Sequence, residues 1–294
     1  DALFAQNLST ATDVFNVAVG YQAGEQMTTG VKNVLIGGLA GDDITDADEN
    51  IAIGYDALGT NTVGSASVAV GASALRTQNP ATATNMFNTA IGHFAGYAVT
   101  TGTVAGDALT EGFANQLFGY AAGGALTDAD YNVAIGYEAL DADVKGNRAI
   151  AIGHAALGTQ SFSTSTDSYN VAVGFQAGTS VTTGTNNVLV GGLAGDALTD
   201  ADANVAIGKS ALSADTMGSK SIAIGLGALQ SQNFSTATDA HNTAVGHGVG
   251  ASVTTGIRNT FIGSEAGDAI TTGQDNVAVG ALALSADQKG NFSV

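Results

Sequence analysis

A five-residue phrase governs this chain. Asn-Val-Ala-Val-Gly at 16–20 returns, with conservative changes, at 33–37, 50–54, 88–92, 132–136, 170–174, 204–208 and 276–280, and divergent copies fill the gaps. The result is a run of fifteen anchor glycines: Gly20, Gly37, Gly54, Gly71, Gly92, Gly119, Gly136, Gly153, Gly174, Gly191, Gly208, Gly225, Gly246, Gly263 and Gly280. Eleven of the fourteen steps between neighbours are 17 residues, or 17 plus a ten-residue excess, and the other three are 21. A sixteenth copy begins at Asn291. Self-similarity at a short fixed period marks a solenoid, in which each repeat stacks only on its neighbours. A 17-residue coil is too short for a propeller blade or a paired-helix repeat.

Each copy predicts one strand. The residues one and three before the anchor are mostly Val or Ile, as in Val17/Val19, Ile51/Ile53 and Ile150/Ile152, and a period of two places them on one face. Ala stands between them in eleven of the fifteen copies, and another Ala follows three residues after the anchor everywhere except at Val249. A β-branched face calls for burial. An Ala column on the opposite face calls for close packing there too, which is the two-sided burial of a parallel sheet. The expectation is an all-β parallel β-solenoid of about 15 rungs whose Ala face is covered by other copies of the chain. Asn stands four residues before the anchor in twelve copies, with Ser67, Ala149 and Ser221 as exceptions, and predicts a ladder of side-chain amides between rungs. The anchor glycine itself predicts a positive φ at the end of each strand.

A second period overlies the first. Four residues after the anchors the sequence reads Gly24, Gly41, Leu58, Leu75, then Gly96, Gly123, Leu140, Leu157, and so on to Gly267 and Leu284. This Gly-Gly-Leu-Leu order divides the chain into four-rung blocks, about 3–74, 75–156, 157–228 and 229–294, as expected from duplication of a four-rung unit. The 21-residue steps fall at the block boundaries. The organisation expected is one continuous solenoid over 1–294, about 70 Å of rise for fifteen strands about 4.8 Å apart, and a fragment of a longer fibrous chain.

Composition agrees with thin layers rather than a thick core. Ala, Val and Ile supply much of the 45% hydrophobic content, and aromatic residues make up only 6%. The 41 Gly follow no collagen period, and there is a single Pro, Pro80. Eight Lys and Arg against 26 Asp and Glu give a net charge of −18, which disfavours nucleic acid and anionic membrane surfaces as partners. Cys is absent, so disulfides and thiolate metal sites are excluded. No apolar stretch is long enough to insert in a membrane.

The phrases Asn16-Val-Ala-Val-Gly20, Asn50-Ile-Ala-Ile-Gly54 and Asn132-Val-Ala-Ile-Gly136, each followed by Ala three residues after its Gly, resemble the YadA-like head repeats of trimeric autotransporter adhesins. The resemblance covers essentially the whole chain. It implies a left-handed parallel β-roll, a homotrimer packed side by side, and exposure at the bacterial cell surface to bind host cells, matrix or glycans. Similar repeats also occur in bacteriophage tail fibres. The function expected is thus a non-enzymatic extracellular fibre segment acting as an adhesin head. The alternative is the structural shaft of a virion tail fibre or filament without receptor binding of its own.

No G-x-S-x-G, Walker loop or H-E-x-x-H occurs, and no catalytic, cofactor or metal residue is expected. The segments Asp46-Ala-Asp-Glu-Asn50, Asp128-Ala-Asp-Tyr-Asn132 and Asp200-Ala-Asp-Ala-Asn204 are not EF-hands, because Ile51, Val133 and Val205 stand where that loop needs Gly. They are expected to be solvated turns. His93, His154 and His247 each follow an anchor, in a column shared with Tyr21, Tyr55, Tyr120, Tyr137 and Phe175, which predicts stacked rings. Thr pairs at 28–29, 100–101, 182–183 and 254–255 recur in essentially one rung of four, with 271–272 as an extra pair, too sparse for an ice-matching face. The Ser/Thr/Asn-rich segments 6–13, 78–85, 160–167 and 232–239, and the excess around 104–113, are the expected places for partner contacts.

Overall fold

The computed structural model describes residues 1–7, 13–97 and 114–294. They form two compact units, Asp1–Arg148 with Ser161–Thr166, and Ala149–Gln160 with Asp167–Val294. The protein is an all-β parallel β-solenoid, with no helix among the described residues. The first unit carries seven three-residue strands, from Val17–Val19 to Val133–Ile135, and the second carries eight, from Ile150–Ile152 to Val277–Val279. That makes fifteen rungs, one for each anchor glycine.

Within each unit neighbouring strands pair parallel and in register. Val17, Ala18 and Val19 face Val34, Leu35 and Ile36, and Val188, Leu189 and Val190 face Val205, Ala206 and Ile207. The pairing continues into the turn, where Gly37 N donates to Val19 O at 2.8 Å and Leu39 N to Tyr21 O at 2.8 Å. The anchor glycine is obligatory for two reasons. Its φ lies near +135°, and a Cβ on Gly37 would land 2.4 Å from the carbonyl oxygen of Gly54.

The structure reverses the expected use of the two faces. The central strand residue, Ala in most rungs, is buried inside the chain's own coil in every rung after the first, where Ala18 is half-buried, and the Ala residues after the anchors from Ala23 to Ala266 are buried as well. The flanking Val and Ile point outward and are nowhere buried; Ile51 keeps 37% of its surface exposed and Ile222 38%. No second copy is needed to cover the Ala face. A coil this narrow takes one side chain per strand, a methyl group in most rungs, and leaves the two flanking residues outside. Val and Ile serve the strand through their fit to the extended backbone, whichever side they face.

The Gly-Gly-Leu-Leu order is a volume code for this interior. In the third and fourth rungs of a block, where the strand supplies Ala, a Leu from the turn fills the space, as with Leu58, Leu140 and Leu212, all fully buried. In the second rung of each block the strand supplies a large residue instead: Leu35, Leu117, Leu189 or Phe261. Both neighbouring turn positions are then Gly. A Cβ on Gly178 or Gly195 would approach the methyls of Leu189 to 2.6 and 2.8 Å. Strand and turn thus alternate in filling one column, at about 1.5–3 kcal/mol per buried Leu.

The Asn ladder forms, but through the backbone more than between amides. Asn33 Oδ1 accepts from Asn50 N at 2.9 Å, and Asn33 Nδ2 donates to Ala47 O at 2.8 Å. Asn187 and Asn204 repeat the pattern. Where Ser67 and Ser221 interrupt the ladder, a buried Gln takes over. Gln232 Oε1 accepts from Asn242 Nδ2 at 2.8 Å, and its Nε2 reaches Ser221 Oγ at 3.2 Å and Asp215 Oδ2 at 2.5 Å. Gln78 does the same for Asn88 and Ser67.

Candidate functional site

With the interior closed by the chain itself, the chemistry left for partners is on the outer surface. Three columns run along it: the outward Val and Ile of the strands, the residues just after the anchors, and the residues just before the ladder Asn. The second column holds exposed rings that stack where they are adjacent. His93 lies 5.8 Å from Tyr120 and Tyr120 5.0 Å from Tyr137, at interplanar angles of 24° and 13°. His154 stacks on Phe175 at 5.2 Å. The expected stacking thus forms at His93, Tyr120, Tyr137, His154 and Phe175, whereas Tyr21, Tyr55 and His247 have no ring at the equivalent position of a neighbouring rung. The third column includes Phe87, Tyr131 and Tyr169, all exposed and all at positive φ.

The Asp-rich turns hold their own backbone. Asp48 Oδ1 accepts from Val31 N at 2.8 Å, and Asp202 Oδ1 from Thr185 N at 2.6 Å. Asp200 Oδ1 takes the hydroxyls of Thr182 and Thr183 at 2.7 Å each, and those bonds lower its pKa. Asp128 faces Lys145 at 3.4 Å. Among the described residues no three His, Cys, Asp or Glu are grouped so as to hold a metal ion. The Thr pairs are likewise bonded to the neighbouring rung, as Thr28 Oγ1 is to Thr45 O at 3.2 Å; the pair at 100–101 lies outside the described residues.

The boundary segments are anchored rather than free. Thr84–Asn85 pairs in parallel with Gly64–Ser65, and Thr238–Asp239 with Gly218–Ser219. Phe234 is buried against Gly218, and Lys220 binds Asp239 at 2.5 Å. Phe162 in the segment 160–167 is buried and donates through its N–H to Asp143 at 3.3 Å. The excess around 104–113 and most of segment 6–13 lie outside the described residues.

Two clefts open on the outer face of the first unit. One, of about 410 Å³, lies between Thr84, Asn85, Phe87, Ala114 and Tyr131. The other, of about 470 Å³, is walled by Phe94, Tyr97 and Tyr120 above Gly124 and Asp141. Phe94 meets Tyr97 edge to face at 5.1 Å, and the Arg76 guanidinium lies 5.8 Å over the Tyr97 ring. In the sequence Tyr120 stands out only as part of a column. The signal for the cleft is the concentration of Phe94, Tyr97 and Tyr120 in a single block.

Comparison with protein-family models, with curated proteins and with solved structures found no match in any of the three.

Proposed function

We propose that the chain is a non-enzymatic segment of an extracellular fibre, assembled from three copies, that acts as an adhesive head at a bacterial cell surface. The observation that carries the reading is the outward Val and Ile columns. The coil completes its core and satisfies its ladder alone, yet every rung but the one with Gln116 and Phe118 still presents two β-branched residues on its outer face. The columns repeat in register, as Val173, Val190 and Ile207 do. Further copies of the same chain would match that spacing rung for rung. Exposed apolar stripes of this continuity mark association surfaces. The head-repeat phrases support the same reading.

Light scattering on the purified chain, with calcium and then with chelator, tests the assembly. A mass near three chains of 28.9 kDa in both conditions is the expected result; a stable monomer overturns it. Beads coated with the chain should then adhere to cells, matrix or immobilised glycans. An assembled but non-adherent chain would point to a structural shaft instead.

A further inference from the structure

The repeats supply an internal reference: a position that departs from its equivalents in the other blocks has been released from the demands of the coil. Five such departures converge on one place. Phe94 stands where the other blocks have Gln22, Gln176 and Gly248, and Tyr97 where they have Glu25, Thr179 and Ala251. Tyr120 replaces Gly38, Gly192 and Ser264. Gly124 replaces three aspartates, Asp42, Asp196 and Asp268, while Asp141 appears where the others have Gly59, Ser213 and Ser285. The carboxylate has in effect moved down one rung. With a Cβ, residue 124 would meet Asp141 Oδ1 at 2.4 Å, so the missing side chain is what admits the new carboxylate.

Together these residues make the 470 Å³ cleft, within the usual range of roughly 300–1,000 Å³ for small-ligand pockets. Its walls are three rings, half-exposed or exposed, and its floor is a half-buried carboxylate. Burial and the nearby charge of Glu138 raise the pKa of Asp141. Behind the ring wall, Arg76 Nη1 lies 3.5 Å from the Tyr97 hydroxyl, while Arg76 is held by an ion pair with Asp56. One face of Tyr97 is thus already occupied by a cation, and a second positive charge would be repelled. A neutral ring with apolar C–H faces and equatorial hydroxyls suits the site better. Its faces pack on the aromatic rings, and its hydroxyls donate to Asp141 and accept from Tyr97.

We propose that this cleft binds one pyranose ring of a neutral carbohydrate. The inference rests on the adhesive reading for its purpose, but the two can fail separately. The test is saturation-transfer NMR on the full chain with methyl glycosides of glucose, galactose, mannose and N-acetylglucosamine, each alone. At least one should receive saturation on its ring protons. The triple variant Phe94→Gln, Tyr97→Thr, Tyr120→Gly carries the third block's own residues at these positions and should keep the fold by circular dichroism. It should bind about tenfold more weakly or not at all, the loss of roughly 1.4 kcal/mol expected from removing aromatic contacts. Asp141→Ser should weaken binding in the same direction. Transfer to none of the four sugars, or equal transfer in the triple variant, overturns the proposal, as does preferential transfer to tetramethylammonium. Adherence of wild-type chain without sugar transfer removes the cleft alone. Sugar transfer without adherence leaves the cleft and removes the adhesive reading.

Discussion

Leu189 and Gly195 share one space, and neither residue is intelligible alone. Leu189→Ala should cost about 3 kcal/mol, the usual penalty for an unfilled core position. Gly195→Leu alone should also destabilise, because its side chain would enter the volume of Leu189 and Leu198. The double variant recreates the Ala206 and Leu212 arrangement and should recover much of the loss in urea unfolding, giving a favourable coupling in the double-mutant cycle. Asp42 offers a second test. Burial first, and Asp43 second, push its pKa up to about 6, and its Oδ1 is buried without a hydrogen-bond partner. A folded pKa above the unfolded 3.8 means the penalty is absent below about pH 4, grows through pH 6 and is full at pH 7. Asp42→Asn should therefore stabilise at pH 7, by about 1 kcal/mol once solvent screening is allowed for, and change nothing at pH 4. At this scale the sequence was only half legible. The anchor Gly announced its positive φ, but the positions two after it, such as Gln22 and Gln176, also adopt positive φ, as do those before the ladder Asn. Their only mark is that Val, Ile and Thr are missing there, since β-branched chains tolerate that region worst.

The rung is the next scale, and its weak point is the ladder. Asn204 satisfies Ser221 N and Gly218 O, both in the interior, at 2.9 and 2.8 Å. Asn204→Ala strands a donor and an acceptor and should cost about 3 kcal/mol. Asn204→Asp should not rescue it, because a carboxylate cannot donate to Gly218 O. Comparison of urea midpoints for the three chains decides the point. The Asn column was plain in the sequence because it repeats at a fixed offset. The substitution of Gln for Asn at block boundaries was not, because Gln78 and Gln232 sit eleven residues after the Ser they serve. An offset that large is visible only once the chain has been coiled.

For the molecule as a whole, the fold class followed from period and composition, whereas the sense of the faces did not. Period-two alternation fixes that Val190 and Leu189 point to opposite sides, but it cannot say which side is inside. The width of the coil decides, and width depends on where the turns close. The corrected faces give a clear test of assembly. Val190→Lys with Ile207→Lys places charge on the outer columns of the second unit, where neither residue is buried. The variant should unfold within about 1 kcal/mol of the parent, as surface changes do, while the light-scattering mass falls to that of one chain. Ala206→Leu should instead overfill the coil against Leu212 and destabilise it by about 1–3 kcal/mol, with the mass unchanged. The binding cleft was the least legible feature, since its residues come from three different rungs.

The volume code also acts on how such a chain can change length over generations. The glycine opening a block lies under the last leucine of the block before: a Cβ on Gly178 would come within 3.1 Å of Leu157, and one on Gly250 within 3.0 Å of Leu229. Excising one rung, residues 174–190, would bring Ala172 and Gly195 together with no large side chain between them. Excising 174–245 removes four rungs and restores every partnership. The first deletion should lower stability by about 3 kcal/mol, like a Leu→Ala core change, and the second by little beyond the lost rungs. Unequal exchange between gene segments would then be filtered by the protein interior, which imposes a reading frame of four on inheritance.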